Sequence, residues 1–140
     1  AAMAGFRPRT EGTAVLAETV LNIAAARPDV PPARLERIAG RLGIAALGLP
    51  EDQPGTWGIE NVAVLPEYRG KGLIDALFAH VLDEGRQQGF RRAQILCLIG
   101  NTRGQTAWER NGFAVHSERT SPEFEALIGT PGAKLMLRDL

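Results

Sequence analysis

Residues 62–78 read VAVLPEYRGKGLIDALF. An apolar run with strand character passes into a turn that holds Arg69, Gly70, Lys71 and Gly72, and apolar residues at helical spacing follow at once. Leu73, Ile74, Leu77, Phe78, Val81 and Leu82 form one broad stripe, so 73–87 is expected to be a helix packed on a sheet and ended by Gly89. The first N–H groups of such a helix have no intrahelical partner, and its aligned peptide dipoles leave partial positive charge at that end. Glycines let those amides come close to an anion without a Cβ in the way, and Arg69 and Lys71 add charge to the same place. A phosphate or pyrophosphate suits this arrangement. The alternative is a plain turn with solvated cations.

Working outward, the strand WGIENVAVL (57–65) has apolar residues at Trp57 and Ile59, then at Val62 and Val64. The alternation slips by one residue, as a β-bulge over 59–62 would make it do. Glu60 stands at that slip in an otherwise apolar strand. RAQILCLIG (92–100) is apolar on both parities, as a strand covered on both faces should be. GFRPR (5–9) suits a short edge strand, where proline is tolerated. Val15, Leu16, Val20, Leu21 and Ile23 predict a helix over 11–26, stopped by RPDVPP. In ARLERIAGRLGIAALGLP (33–50), Leu35, Ile38 and Leu42 suit a helix over 33–42, but Gly40 and Gly43 interrupt it. A hairpin turning at Gly40-Arg41 into a strand over 42–49 accounts for both glycines and is the expectation. EDQPGT (51–56) is a turn. A short helix is expected over 102–110, closed by Asn111-Gly112. FAVHSERT (113–120) and AKLMLRDL (133–140) then pair antiparallel around a loop at 121–132.

The chain has 140 residues, enough to close one core, and 1–140 is expected to be a single mixed α/β domain. Sixteen basic and sixteen acidic residues cancel, so no global charge points to nucleic acid. The longest apolar runs fall far short of the roughly 20 residues that cross a bilayer, and no signal-peptide layout is present; a soluble, cytoplasmic protein with no membrane role is expected. The lone Cys97 lies in an apolar run and reads as a buried hydrophobe, with no partners for a metal site. His80 lies at the edge of the 73–87 stripe. His116 falls in a late strand, where contact with a substrate is the alternative to a structural role.

The turn fits neither familiar phosphate loop. No Ser or Thr follows Lys71 as the P-loop requires, and the third glycine of the dinucleotide fingerprint is replaced by Asp75. The run Arg69-Gly70-Lys71-Gly72-Leu73-Ile74 does resemble the acyl-CoA loop of the GNAT superfamily of N-acetyltransferases, and VAVLPEY before it is similar to that family's strand. NTRGQTAWERNGF (101–113) resembles the second family signature, about thirty residues further on. FRPRTEGTAVLAE and ERIAGRLGIAALGL are similar to the opening strand, first helix and hairpin, so the likeness spans nearly the whole chain. The fold this implies is a central mixed, mostly antiparallel sheet with helices on both faces and splayed, bulged central strands.

The resemblance also implies a chemistry. Pyrophosphate would rest on the amides of Gly70, Lys71, Gly72, Leu73 and Ile74 beside Arg69. The pantetheine arm would lie along Val62, Ala63 and Val64, with a contact to Asn101, which is also the capping residue of the short helix. Arg103 and Arg110 are candidates for the 3′-phosphate or are simply solvated. GIENVAV is similar to GHIEDIAV of glucosamine-phosphate N-acetyltransferases, which makes Glu60 the candidate catalytic carboxylate at the acceptor amine. The implied activity is transfer of acetyl from acetyl-CoA, with no metal, to a primary amine of a small molecule or peptide by direct attack. A homodimer is left open. Two departures stand out. Ile74 replaces the loop's last small residue, and Trp108 replaces the usual tyrosine, so an indole that cannot usefully give up a proton stands where the family often has its acid. That substitution favours a second reading, a catalytically weak acyl-CoA sensor or regulatory module. A nucleotide-binding domain is disfavoured by the failed fingerprints.

Overall fold

Strand β1 (Ala2–Arg9) and strand β2 (Thr56–Val64) pair antiparallel at one side of a five-stranded sheet. The computed structural model describes residues 2–9, 22, 25, 26 and 29–140. β3 (Arg92–Leu98), β4 (Ala114–Thr120) and β5 (Gly132–Asp139) complete the sheet in the order β1-β2-β3-β5-β4. β2 and β3 run parallel, and the other neighbours are antiparallel. β1 is an edge strand, which is where Pro8 loses no ladder bond. The α-helices whose whole ranges are described are α1 (Pro32–Leu47), α2 (Leu73–Gln87), α3 (Thr102–Arg110) and α4 (Pro122–Ile128).

The core under α2 and α3 follows from the sequence stripes. Phe78, Val81 and Leu82 of α2 meet Trp57 and Ile59 of β2, Ala93, Ile95 and Cys97 of β3, Met136 of β5 and Trp108 and Phe113. Phe78 stacks on Trp108 at 5.1 Å between ring centroids and meets Phe113 edge-on at 5.9 Å. Trp57 donates its indole N–H to the Val81 carbonyl at 2.9 Å. Gly85 makes that seat possible, since a Cβ there would come within 2.8 Å of the Trp57 ring. Ala133 and Leu135 alternate with Met136 and are fully buried on the other face. α1 packs against α4, and Phe124 of α4 sits so close to Gly48, just past α1, that no Cβ would fit.

Two expectations are overturned. Residues 32–47 form one helix, and no hairpin turns at Gly40. Leu35, Ile38, Leu42 and Ala45 all lie half-buried at helical spacing, a burial that a strand over 42–49 could not give them. Each interior glycine costs a helix only about 1 kcal/mol relative to alanine, less than the stripe recovers. The connection at 121–132 is also more than a loop. Ser121 caps α4 by accepting from the Phe124 amide at 3.2 Å, Pro122 starts the helix, and Gly129 ends it at φ +86°. The helix expected over 11–26 lies outside the described residues, apart from Asn22, Ala25 and Ala26, which are helical.

A Cβ at Gly40 or Gly43 would meet nothing within 4 Å. Gly40→Ala and Gly43→Ala should therefore each stabilise the chain by about 0.5–1 kcal/mol in urea titrations. A loss of stability in both would restore the hairpin.

Candidate functional site

The irregular segment of β2 lies where the alternation slips. Met3 pairs with Ala63 and Gly5 with Glu60, so Ala4 alone faces Asn61 and Val62. That is a β-bulge, and Asn61 holds it at φ +56°, as the one non-glycine residue with positive φ among the described residues. Asparagine tolerates the left-handed region better than other side chains. The extra residue keeps Val62 against the same core as Ile59.

The bulge also decides where the sheet opens. β2 and β3 pair over Trp57–Ile59 and Ala93–Ile95 and then part. β2 stays on β1 as far as Val64, and β3 stays on β5 as far as Leu98. The facing edges of 60–64 and 96–98 consequently have no strand between them, which leaves a wedge that an extended, amide-bearing ligand can enter as an added strand.

The turn after β2 ends beside that wedge. Pro66–Tyr68 make one 3₁₀ turn, and Arg69 donates Nε to the Val64 carbonyl at 3.2 Å. Lys71 lies over the Tyr68 ring at 5.2 Å from its centre. Gly70 and Gly72 take φ of +73° and +71°, and Gly72 is the N-cap of α2. Tyr68 and Arg69 donate backward to Leu65 and Pro66, and Asp75 and Ala76 donate to Gly72. Between them the amides of 70–74 find no backbone acceptor among the described residues. Five consecutive donors at the positive end of a helix are an arrangement that can accept an anion.

The remaining predicted residues divide. Glu60 lies just before the bulge, half-exposed, with Oε1 3.3 Å from Arg7 Nε. Val62 and Val64 are half-buried and Ala63 is exposed. Asn101 caps α3 by accepting from the Gly104 amide at 3.0 Å. Arg103 is exposed, whereas Arg110 is committed to Asp75. His80 is exposed, and so is His116, the unpaired extra residue of a second bulge between Val115 and Ser117. Cys97 is buried, and that burial pushes its thiol above the usual range, which makes it a poor nucleophile. Trp108 is buried by its stack on Phe78, and its Nε1 has no acceptor among the described residues. A cavity of about 490 Å³ on another flank of α2, lined by Asp75, His80, Asp83, Arg86, Asn111 and Arg138, includes none of β2 or the turn. No helix among the described residues is long and apolar enough to cross a membrane.

A bulged strand parting from its parallel neighbour beside an amide-lined helix start is the architecture of an acyl-CoA-type transferase fold. Residues 30–113, more than half of the chain, match the Acetyltransferase (GNAT) family, and the chain belongs to it. Among solved structures it is similar to a GNAT family acetyltransferase from Elizabethkingia anophelis with acetyl-CoA bound, at 17% identity and TM-score 0.54, over 61% of each chain. It is similar to Ard1 from Thermoplasma volcanium at 20% identity and TM-score 0.54, over 64% of this chain and 58% of that one. A spermidine N-acetyltransferase from Vibrio cholerae matches at 18% identity and TM-score 0.52, over 61% of this chain and 50% of that one. The chain thus spans half to about three-fifths of the length of these relatives. No curated protein matches the sequence.

Gly72 has open space where a Cβ would go, so its positive φ alone resists substitution. Gly72→Ala should destabilise the chain by about 1–2 kcal/mol, opposite in sign to the same change at Gly40. Equal effects at the two positions in denaturant titrations would mean that the turn does not hold its left-handed geometry.

Proposed function

We propose that residues 1–140 act as one acetyl-CoA-dependent N-acetyltransferase domain, moving acetyl to a primary amine of a small molecule or peptide by direct attack. The observation that carries the reading is the open wedge between β2 and β3 ending beside five amides with no backbone acceptor among the described residues. The two features suit the two ends of one ligand, an amide-bearing arm and a diphosphate, and the likeness to a relative with acetyl-CoA bound supports it. Acetyl-CoA, when bound, supplies the acetyl group already activated as a thioester.

The chain's residues then have three tasks. Gly70, Lys71, Gly72, Leu73 and Ile74 hold the diphosphate through their amides, with Arg69 and Lys71 adding charge. The β2 edge at Val62, Ala63 and Val64 accepts the amide-bearing arm, with Asn101 near it, and one N–H of that edge meets negative charge developing on the acetyl oxygen. Such a donor is worth roughly 3 kcal/mol. The third task is removal of a proton from the acceptor. An alkyl ammonium has a pKa near ~10.4, so about one molecule in a thousand is neutral at pH 7.4. Glu60, at the bulge, binds that ammonium and takes its proton directly or through water. The amine named in the Vibrio cholerae relative, spermidine, is of the expected chemical kind. The acceptor class is set by a screen.

The experiment is a CoA titration followed by a thiol-release screen over amino acids, polyamines, aminosugars and peptides. The expected result is CoA binding and release of free thiol with at least one amine. Binding without release across the panel would favour the second reading, a sensor module, which Trp108 supports because its indole donates a hydrogen bond and gives up no proton. On the enzyme reading Trp108 serves by packing, so Trp108→Phe should keep most activity and leave the basic limb of the pH profile intact. A thousandfold fall in kcat would show that Trp108 takes part in proton transfer after all.

Glu60→Gln should lower kcat/KM by about 10²–10⁴-fold at pH 7 while leaving CoA affinity unchanged. The deficit should shrink at high pH, where solvent has already deprotonated the amine. A deficit constant with pH would make Glu60 a positioning residue, and wild-type kinetics would leave it paired with Arg7 and outside the reaction.

A further inference from the structure

Asp75 stands in the first turn of α2, immediately after the five amides that the proposed function assigns to the diphosphate. A carboxylate there stabilises an isolated helix, because it faces the positive end of the dipole. At a helix start that must receive an anion, the same carboxylate repels the ligand. The turn's own cations do not answer it, since Arg69 reaches back to the Val64 carbonyl and Lys71 lies over Tyr68. Arg110, the last residue of α3, does. Its Nη2 lies 2.8 and 3.1 Å from the two Asp75 oxygens and its Nε 3.2 Å from Oδ1. Asn111 adds Nδ2 at 2.8 Å to Oδ1, and the same amide group donates to the Ala107 carbonyl at 2.9 Å, which fixes its direction. Both ionic side chains are about half exposed, so the pair contributes little to stability. Its geometry is nevertheless that of a bidentate fork with a third donor.

We propose that Arg110 and Asn111 are positioning residues that neutralise Asp75, so that the start of α2 keeps its attraction for the diphosphate of an acyl-CoA. The inference rests on the proposed function and adds a role to residues outside the ligand seat. The Arg110 and Asn111 hydrogen bonds hold the Asp75 carboxyl below the usual carboxylate range. Protonation therefore does not remove its charge near neutral pH, and the guanidinium has to. The arrangement also gives Arg110, a candidate for the 3′-phosphate, a role at Asp75 instead.

The test is calorimetric titration of CoA into the full chain and its Arg110→Met, Arg110→Lys, Asp75→Asn and Arg110→Met/Asp75→Asn variants. Arg110→Met should bind about tenfold more weakly, as an unanswered charge within one helical turn of the ligand would require at an effective dielectric between protein and water. The double variant should recover most of that loss, Asp75→Asn alone should bind at least as tightly as wild type, and Arg110→Lys should keep most of its affinity. The Arg110→Met deficit should also shrink as salt is raised towards 0.5 M, roughly, because exposed charges are screened. If wild type binds no CoA, the proposed function fails and this inference with it. If wild type binds and Arg110→Met binds equally well, the charge role alone is overturned. A double variant as weak as Arg110→Met would overturn it too, because Arg110 would then be touching the ligand itself.

Discussion

The bulge at Asn61 and Val62 is the constraint on which the site depends. One extra residue opposite Ala4 turns β2 away from β3 after three paired positions. It also restores the phase of the strand, so that Val62 faces the same core as Trp57 and Ile59. A regular strand would have continued its pairing with β3 and turned its later valines to the other face. The cost is a non-glycine residue held at φ +56°, and asparagine is among the side chains that bear it best. The wedge is thus a product of the backbone of one strand and needs no special side chain at its mouth.

What makes the wedge useful is the position of α2, and that is decided at the far end of the helix. Trp57 lies near the start of β2 and bonds to the Val81 carbonyl, and its ring occupies the space that Gly85 leaves empty. Phe78, wholly buried between the Trp108 and Phe113 rings, holds the middle of the helix. A helix rises about 1.5 Å per residue, so a seat fixed at 78–85 leaves the amides of 70–74 little freedom relative to the end of β2. Sixteen positive and sixteen negative residues cancel overall, yet the turn at 69–72 gathers backbone amides, the positive end of a helix and two cations within a few residues. Local arrangement decides the electrostatics here, and formal charge does not.

The parts legible in the sequence were those whose signal is local and whose period is unambiguous. The stripe from Leu73 to Leu82 and the terminal Gly89 gave α2 at its observed bounds, and the phase slip between Ile59 and Val62 located the bulge. Local rules failed where a cheap violation is outweighed by packing. Gly40 and Gly43 argue against a helix residue by residue, yet each weighs less than the burial of Leu35, Ile38 and Leu42 along one face. Ser121-Pro122-Glu123 with Gly129 was a complete start-and-stop signal for α4, and the shortness of the element hid it. The Asp75–Arg110 pair joins residues 35 apart in sequence, and no pattern rule reaches that far. Glu60 stands out in the sequence as acidic in an apolar strand, but its Arg7 partner follows only from the register of β1 on β2.

Trp108 bears on whether the fold can still do the family's chemistry. The Trp108 Nε1 has no acceptor among the described residues, and a buried donor left so costs a protein about 1–3 kcal/mol. A ligand atom with a lone pair would relieve that cost on binding, and a sulfur or carbonyl oxygen of the amide-bearing arm has one. The loss of a proton donor matters less than it first seems, because the group that leaves a thioester is a thiolate. A thiolate is a far weaker base than an alkoxide or an amide anion, so it is a tolerable leaving group that solvent can protonate afterwards. The amine's proton is the harder problem, because the neutral amine must form before attack can begin and its conjugate acid sits near ~10.4. In the proposed reaction the demand therefore falls on a base beside the bulge more than on an acid at position 108. With Glu60 as the proposed base and an indole at Trp108, the proposed reaction has the group whose absence would cost it more.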